Sequence, residues 1–331
     1  MNIAMMTKRE NVMAILEGRQ PDYYGDLMDA VQFVFDPSFL ADRSAPDGKL
    51  HKDAWGVTFQ QEPGAPGPHP LSTPETLAIP DIERWQEFLK VPDLKNLDWT
   101  QCEKDAAAVD RKEMFAGMFC GGGLFERTHH LLGFQNALEY YMLYEDEMRG
   151  ILEKIAEYKI ELIKLAGKHM KPDIIFFHDD WGSKINVFLP PPLWRRLIKP
   201  LHHEIVKTAH DCGIIFMHHA DCICQPLVED MVEMGIDIWQ GVIAQNDIPE
   251  IQRITKGKLA MVGGIDGPKI DVDTTEEFIR AEVRRAIDEY CPAGRFFPSI
   301  PNGVCFREWN NSIYRAELET YGRTWAENNR V

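Results

Sequence analysis

From residue 113 onward the chain repeats one pattern: a short apolar run, a tight polar cluster, then a helix-length stretch. The runs are "EMFAGMF" (113–119), "DIIFF" (173–177), "GIIFM" (213–217), "IDIWQG" (236–241), "KLAMVGG" (258–264) and "GRFFPSIPNG" (294–303). None alternates apolar with polar residues. Strands of that kind are buried on both faces, as in a parallel sheet covered by helices. No GxGxxG follows the first run, so a dinucleotide-binding fold has no support. These runs make six strands, and "DYYGDLM" (22–28) and "WGVTFQ" (55–60) offer one or two more. The expected fold class is α/β, a (β/α)8 TIM barrel. The 331 residues are then a single domain, 1–331, because such barrels run to ~250 residues and beyond. Residues 36 to 100, rich in Pro, Gly and Asp, form an N-terminal excursion of loops and short helices, among them "DIERWQEFLKV".

The helices carry their own punctuation. "TKRENVMAILEGRQPD" opens on a capping box, Thr7 with Glu10, and stops at Gly18 and Pro21. Residues 132 to 168 read as one long helical region, with Ile151, Ile155, Tyr158, Leu162 and Leu165 on one face. "QPLVEDMVEMG" has Pro226 early and Gly235 at its end. A second capping box, Thr274 with Glu277, opens "TTEEFIRAEVRRAIDEYC".

Composition narrows the function. A formal net charge of −16 argues against nucleic acid and anionic membranes, which demand a basic surface. No run approaches the ~18 apolar residues of a membrane span, and the N-terminus lacks the apolar core of a signal peptide. Seven cysteines in no scaffold-like spacing point to a reducing, cytoplasmic location.

Barrel active sites lie at the C-terminal ends of the strands. The polar clusters fall at those predicted ends: "CGGG" (120–123), "HDDW" (178–181), "HHADC" (218–222), "QG" (240–241), "GGID" (263–266) and "SIPN" (299–302). The glycines either supply a loop with positive φ or let backbone approach a ligand. Adjacent carboxylates such as Asp179 and Asp180 need a proton or a cation nearby. In the richest cluster, His219 and Asp221 point one way if the strand continues, and His218 the other. A histidine followed two residues later by an anionic ligand suits zinc, with Cys222 and the distant Cys305 as further ligands. The plainer alternative makes Cys222 and Cys224 small core residues. His129, His130, His202 and His203 read as structural or surface residues.

Several segments together resemble the uroporphyrinogen decarboxylase superfamily: "GGGLFERTHHLLGFQNALEYYMLYEDEMRGILEKI", "FFHDDWGSKINVFLPPPLWRRLIKPLHHEIVKTAHDCGIIFMHHADC", "LVEDMVEMGIDIWQGV", the opening "TKRENVMAILEGRQPD" and the late "PSIPNGV". The resemblance implies a (β/α)8 barrel and one of two activities. The decarboxylase carries an arginine-bearing "RQAGR" segment that holds its porphyrinogen, where this chain has "GRQPDYYGD". The other branch comprises cobalamin-dependent methyltransferases that work with a separate corrinoid protein. Thiol-methylating members hold zinc by His-x-Cys and a distant Cys; here His219 matches, Asp221 stands at the Cys position and Cys222 falls one residue late. That departure favours transfer of a methyl group from a small aromatic ether to the Co(I) of a corrinoid protein. Transfer to a thiol and porphyrinogen decarboxylation are the alternatives.

In this reading His178, Asp180, His219 and Asp221 are catalytic, and zinc is held by His219, Asp221, Cys222 and Cys305. Gly122, Phe125, Trp181, Trp239 and Asn302 bind substrate. The partners are the corrinoid protein, the methyl donor and a second copy in a homodimer.

Overall fold

In the computed structural model, residues 5–42, 46–65, 67–272, 275–301 and 307–330 are described. Seven parallel strands form the central sheet: β1 (Val31–Val34), β2 (Phe115–Cys120), β3 (Ile174–His178), β4 (Ile215–His219), β5 (Ile238–Val242), β6 (Ala260–Gly264) and β7 (Phe296–Ser299). Their order across the sheet is their order in the chain. Each crossover carries helices, so the sheet curls with one face inward and the other under helices.

The last six strands are the six apolar runs. Two expectations for the remaining strands need correction. Residues 22–28 form no strand: a 3-10 turn, Leu27–Ala30, follows Asp26, and β1 begins only at Val31. Thr58–Gln60 is a strand, but it pairs antiparallel with Leu50–Lys52 and His69–Pro70 in a separate small sheet within the excursion. Among the described residues the parallel sheet therefore has seven strands, with β1 and β7 at its edges. At a seam beside β7, Ser299 Oγ donates at 2.6 Å to Asp26 Oδ2, in the segment ahead of β1.

The helical region expected over 132–168 is two helices, Phe134–Leu143 and Glu145–His169, preceded by a separate helix, Leu124–Leu132. The first break falls at Gly133, whose φ of 82° suits glycine. The first capping box is present as read, with Glu10 N–H donating to Thr7 Oγ1 at 3.1 Å and Thr7 N–H donating to Glu10 Oε2 at 2.9 Å. The later cap is Thr275, whose hydroxyl accepts from Phe278 N–H; Thr274 lies outside the described residues. No helix among the described residues is long and apolar enough to cross a membrane.

Strand alternation sorts the two faces. Phe177 and His218 pair across β3 and β4, and His218 pairs with Trp239 on β5. The rings of Phe177 and His218 lie 5.2 Å from that of His202, on the covering helix Lys199–Asp211. The residues between them, Phe176, His178, His219 and Gln240, therefore face the concave side. The register sets His178 opposite His219, and His219 opposite Gln240.

Candidate active site

β3 and β4 end on histidines that face the same side. The rings of His178 and His219 lie 4.3 Å apart, inclined at 33°. Asp180, just past the end of β3, joins them. One ligand atom from each of the three lies within 4.8 Å of the other two. The side chain of His178 is 30% exposed, so the group opens to solvent.

Each histidine has one ring nitrogen already engaged. His178 Nδ1 lies 2.9 Å from Glu126 Oε2. His219 Nδ1 meets Gln240 Oε1. Gln240 uses its amide N–H₂ to donate to the Pro301 carbonyl at 3.0 Å, which turns its oxygen toward His219. Both histidines thus carry their Nδ1 proton toward an acceptor and leave Nε2 for a metal, a substrate or a second proton.

Asp179 builds the platform. Its carboxylate accepts from Leu124 N–H at 3.0 Å, Glu126 N–H at 2.9 Å and Trp181 Nε1–H at 3.0 Å. It caps the N-terminus of helix Leu124–Leu132 from a neighbouring strand end and so fixes Glu126. Gly123 permits this approach, since a Cβ there would stand 2.3 Å from Asp179 Cβ. Part of the "CGGG" signal is therefore structural. Gly122 has φ of 58°, with Arg127 Nη2 at 2.9 Å from where its Cβ would be.

The electrostatics are polarised. Burial opposes ionisation of Glu126, but the charge of His178 and their hydrogen bond hold it down at about 2. Burial disfavours a charged His178, yet Glu126 outweighs it and lifts that imidazole to about 9. His219 goes the other way, lowered to about 4 by burial and by charged His178. Burial, then Glu126, raise Asp180 to about 7. At neutral pH the group holds a Glu126–His178 ion pair and a neutral His219, beside an Asp180 carboxyl whose pKa burial and Glu126 raise.

The other expected residues lie elsewhere. β4 stops at His219, so alternation no longer aims Asp221. Its carboxylate pairs with Lys184 Nζ at 2.8 Å, and its N–H donates to Asp180 Oδ1 at 2.9 Å. Cys222 Sγ lies 3.3 Å from Cys224 Sγ in a buried pair, and neither belongs to the group formed by His178, Asp180 and His219. Asn302 and Cys305 lie outside the described residues. Trp181 is buried, 3.9 Å from the His218 ring and 4.6 Å from the Trp194 ring. Trp239 is buried on the helix-facing side, donating to the Ala220 carbonyl at 2.9 Å. Phe125 is buried and stacks on Phe188 at 5.2 Å. His202 and His218 are wholly buried in the outer layer, and neither ring nitrogen of either has a hydrogen-bond partner among the described residues.

Two further polar residues complete the site. Gln240 sits in the "QG" cluster and needed only the strand register to become a partner of His219. Glu126 comes from the first turn of the helix after β2, six residues past the strand end, and no strand-end rule points to it. Phe119 and Phe176, both strand residues, place their rings beside the histidines.

The profile of the uroporphyrinogen decarboxylase (URO-D) family matches residues 89–299, and the chain belongs to that family. A methyltransferase from Methanosarcina mazei shares the fold, with a TM-score of 0.66 and 14% identity over 96% of this chain and 99% of that one. No curated relative matches the sequence significantly.

Proposed function

We propose that this chain is a corrinoid-dependent methyltransferase of the URO-D superfamily. It takes a methyl group from a small methyl ether and passes it to the Co(I) of a partner corrinoid protein, as in O-demethylation. The observation that carries this reading is the solvent-open trio His178, Asp180 and His219, with the Nδ1 of each histidine held by a fixed acceptor. The fold shared with a methyltransferase supports it.

The chemistry turns on the leaving group. The C–O bond breaks, the methyl carbon is taken with the electron pair of Co(I), and the C–O pair stays on oxygen. A phenol has a pKa near ~10, so its anion leaves slowly unless the oxygen gains a proton or a Lewis acid. His178 carries the proton: with Nδ1 committed to Glu126, the imidazolium presents Nε2–H to the ether oxygen. Neutral His219 and Asp180 orient the substrate beside it.

The same residues fit zinc. Catalytic zinc takes three protein ligands and keeps one position open, with bonds of ~2.0–2.2 Å that set ligand atoms ~3.4 Å apart. The ligand atoms of the trio lie within 4.8 Å of one another, and Glu126 and Gln240 stand where partners of ligating histidines belong. Bound there, zinc would act as the Lewis acid on the ether oxygen. His178 Nε2 cannot both bind zinc and carry the proton, so metal content distinguishes the two routes.

The alternatives fare worse on particular residues. Among the described residues no cysteine joins the trio, which disfavours a thiol acceptor. A porphyrinogen's carboxylates would meet Glu126 and Asp180 in place of a basic cradle. The free cysteines suit a reducing cytoplasm.

The test is methyl transfer to reduced cobalamin from methoxylated arenes, followed in visible absorption, with metal analysis alongside. His219→Ala is expected to abolish transfer with circular dichroism unchanged. CO2 release from uroporphyrinogen without any transfer would overturn the proposal.

A further inference from the structure

The two cysteines after β4 take no part in the trio, and the fold turns them toward each other. Both are buried, with their Sγ atoms 3.3 Å apart. Other buried thiols have different neighbours: Cys102 donates to the Phe35 carbonyl at 3.0 Å, and Cys120 lies 3.7 Å from Lys159 Nζ. The pairing of Cys222 with Cys224 is enforced from the backbone. The carboxamide of buried Asn246 accepts from Cys224 N–H at 3.2 Å and donates to the Cys222 carbonyl at 3.0 Å. One side chain thus staples both cysteine backbones and folds the segment 222–224 back on itself.

The same segment leans on the loop that follows β3. Ile223 N–H donates to the Ser183 carbonyl at 2.8 Å. The Ile223 carbonyl oxygen stands 2.8 Å from where a Cβ on Gly182 would be, so a glycine is what admits it. One residue before the cysteines, Asp221 N–H donates to Asp180 Oδ1 at 2.9 Å, and the Asp221 carboxylate holds Lys184 at 2.8 Å. A backbone shift at Cys222 is therefore one residue away from a hydrogen bond that holds Asp180 in the trio.

We propose that Cys222 and Cys224 form a reversible oxidation site: a small peroxide converts the pair to a disulfide, and its closure draws Asp221 N–H away from Asp180. Two S–H bonds break and one S–S bond forms. The two electrons and two protons released reduce hydrogen peroxide to two waters. A ring closed across a single intervening residue departs from relaxed disulfide geometry, and such bonds yield readily to thiol reductants. Burial pushes the Cys224 thiol up, so the pair rests as thiols, and only a small, uncharged oxidant suits it. The site goes beyond the proposed activity and does not depend on it.

The test uses the full chain, free of metal, treated with hydrogen peroxide or with dithiothreitol. On oxidation the intact mass should fall by two hydrogens, with peptide mapping placing the bond between Cys222 and Cys224. Dithiothreitol should restore the reduced mass. The ring resonances of His178 and His219, followed by NMR at fixed pH, should shift on oxidation and return on reduction. Cys222→Ser and Cys224→Ser should each keep the spectrum of the reduced protein and lose the peroxide-dependent shift; if neither variant folds, the reversible wild-type measurement decides. Four results would overturn the inference: no loss of hydrogens, sulfur acids at these two positions in place of the bond, a bond formed only through exposed Cys212, or histidine resonances unmoved in the disulfide form. None of these readouts involves methyl transfer, so failure of the proposed activity and failure of this site are told apart.

Discussion

At the scale of single residues, the site works by committing one nitrogen of each histidine. Glu126→Gln removes the charge that raises His178. Its imidazole pKa should fall from about 9 toward the ordinary ~6.5, because burial is then opposed only by the more distant charges of Asp180 and Asp179. If His178 acts as the protonated acid, the alkaline limb of the rate profile moves to lower pH; this is read as kcat against pH. Losing such a partner commonly costs ~10–100-fold in activity or metal affinity. Gln240→Leu should cost a comparable factor, because neutral His219 then loses the acceptor that fixes its tautomer. Asp221 shows where sequence reading loses its grip. Alternation aimed it correctly only for as long as the strand lasted, and the strand stops two residues earlier. Trp239 is the converse: next to inward Gln240 it had to face outward, and the strand register carries that information.

At the scale of elements, the six apolar runs were legible because parallel strands buried on both faces must be uninterrupted. β1 was not, because an edge strand needs less apolar cover and "VQFV" has an exposed Gln32 within it. The helix Leu124–Leu132 was partly legible, but its role was not: that it delivers Glu126 depends on Asp179, a contact across 53 residues of chain. Gly123→Ala tests that joint. A methyl group there collides with Asp179 Cβ, and overpacking of this kind costs ~1–3 kcal/mol. The melting temperature should drop. The Glu126–His178 pair should loosen too, seen as a lowered His178 pKa by NMR.

At the scale of the whole molecule, the outer layer stores an acid sensitivity. His202 sits between the sheet and the helices, and burial lowers it to about 3. Its folded value lies below its unfolded one, near ~6.5. The native state therefore binds fewer protons. The stability contributed by neutral His202 is complete above pH ~6.5 and is lost as pH falls toward about 3, by up to ~1.4 kcal/mol per pH unit. His202→Phe should flatten that limb in urea titrations between pH 4 and 7, chosen as roughly the window set by these two values. The seam invites a second measurement. Ser299→Ala leaves Asp26, already raised to about 6 by burial, without its hydroxyl donor, and should destabilise the fold by ~1–3 kcal/mol.

That seam has a further consequence. Among the described residues β1 and β7 are paired on one side only, and the Ser299–Asp26 hydrogen bond joins β7 to the segment just ahead of β1 rather than to the strand itself. β3 and β4 sit in the middle of the row, flanked on both sides. Amide protons of β1 and β7 should exchange well ahead of those of Phe176 and Met217, and the two imidazoles would stay in register while the flanks breathe.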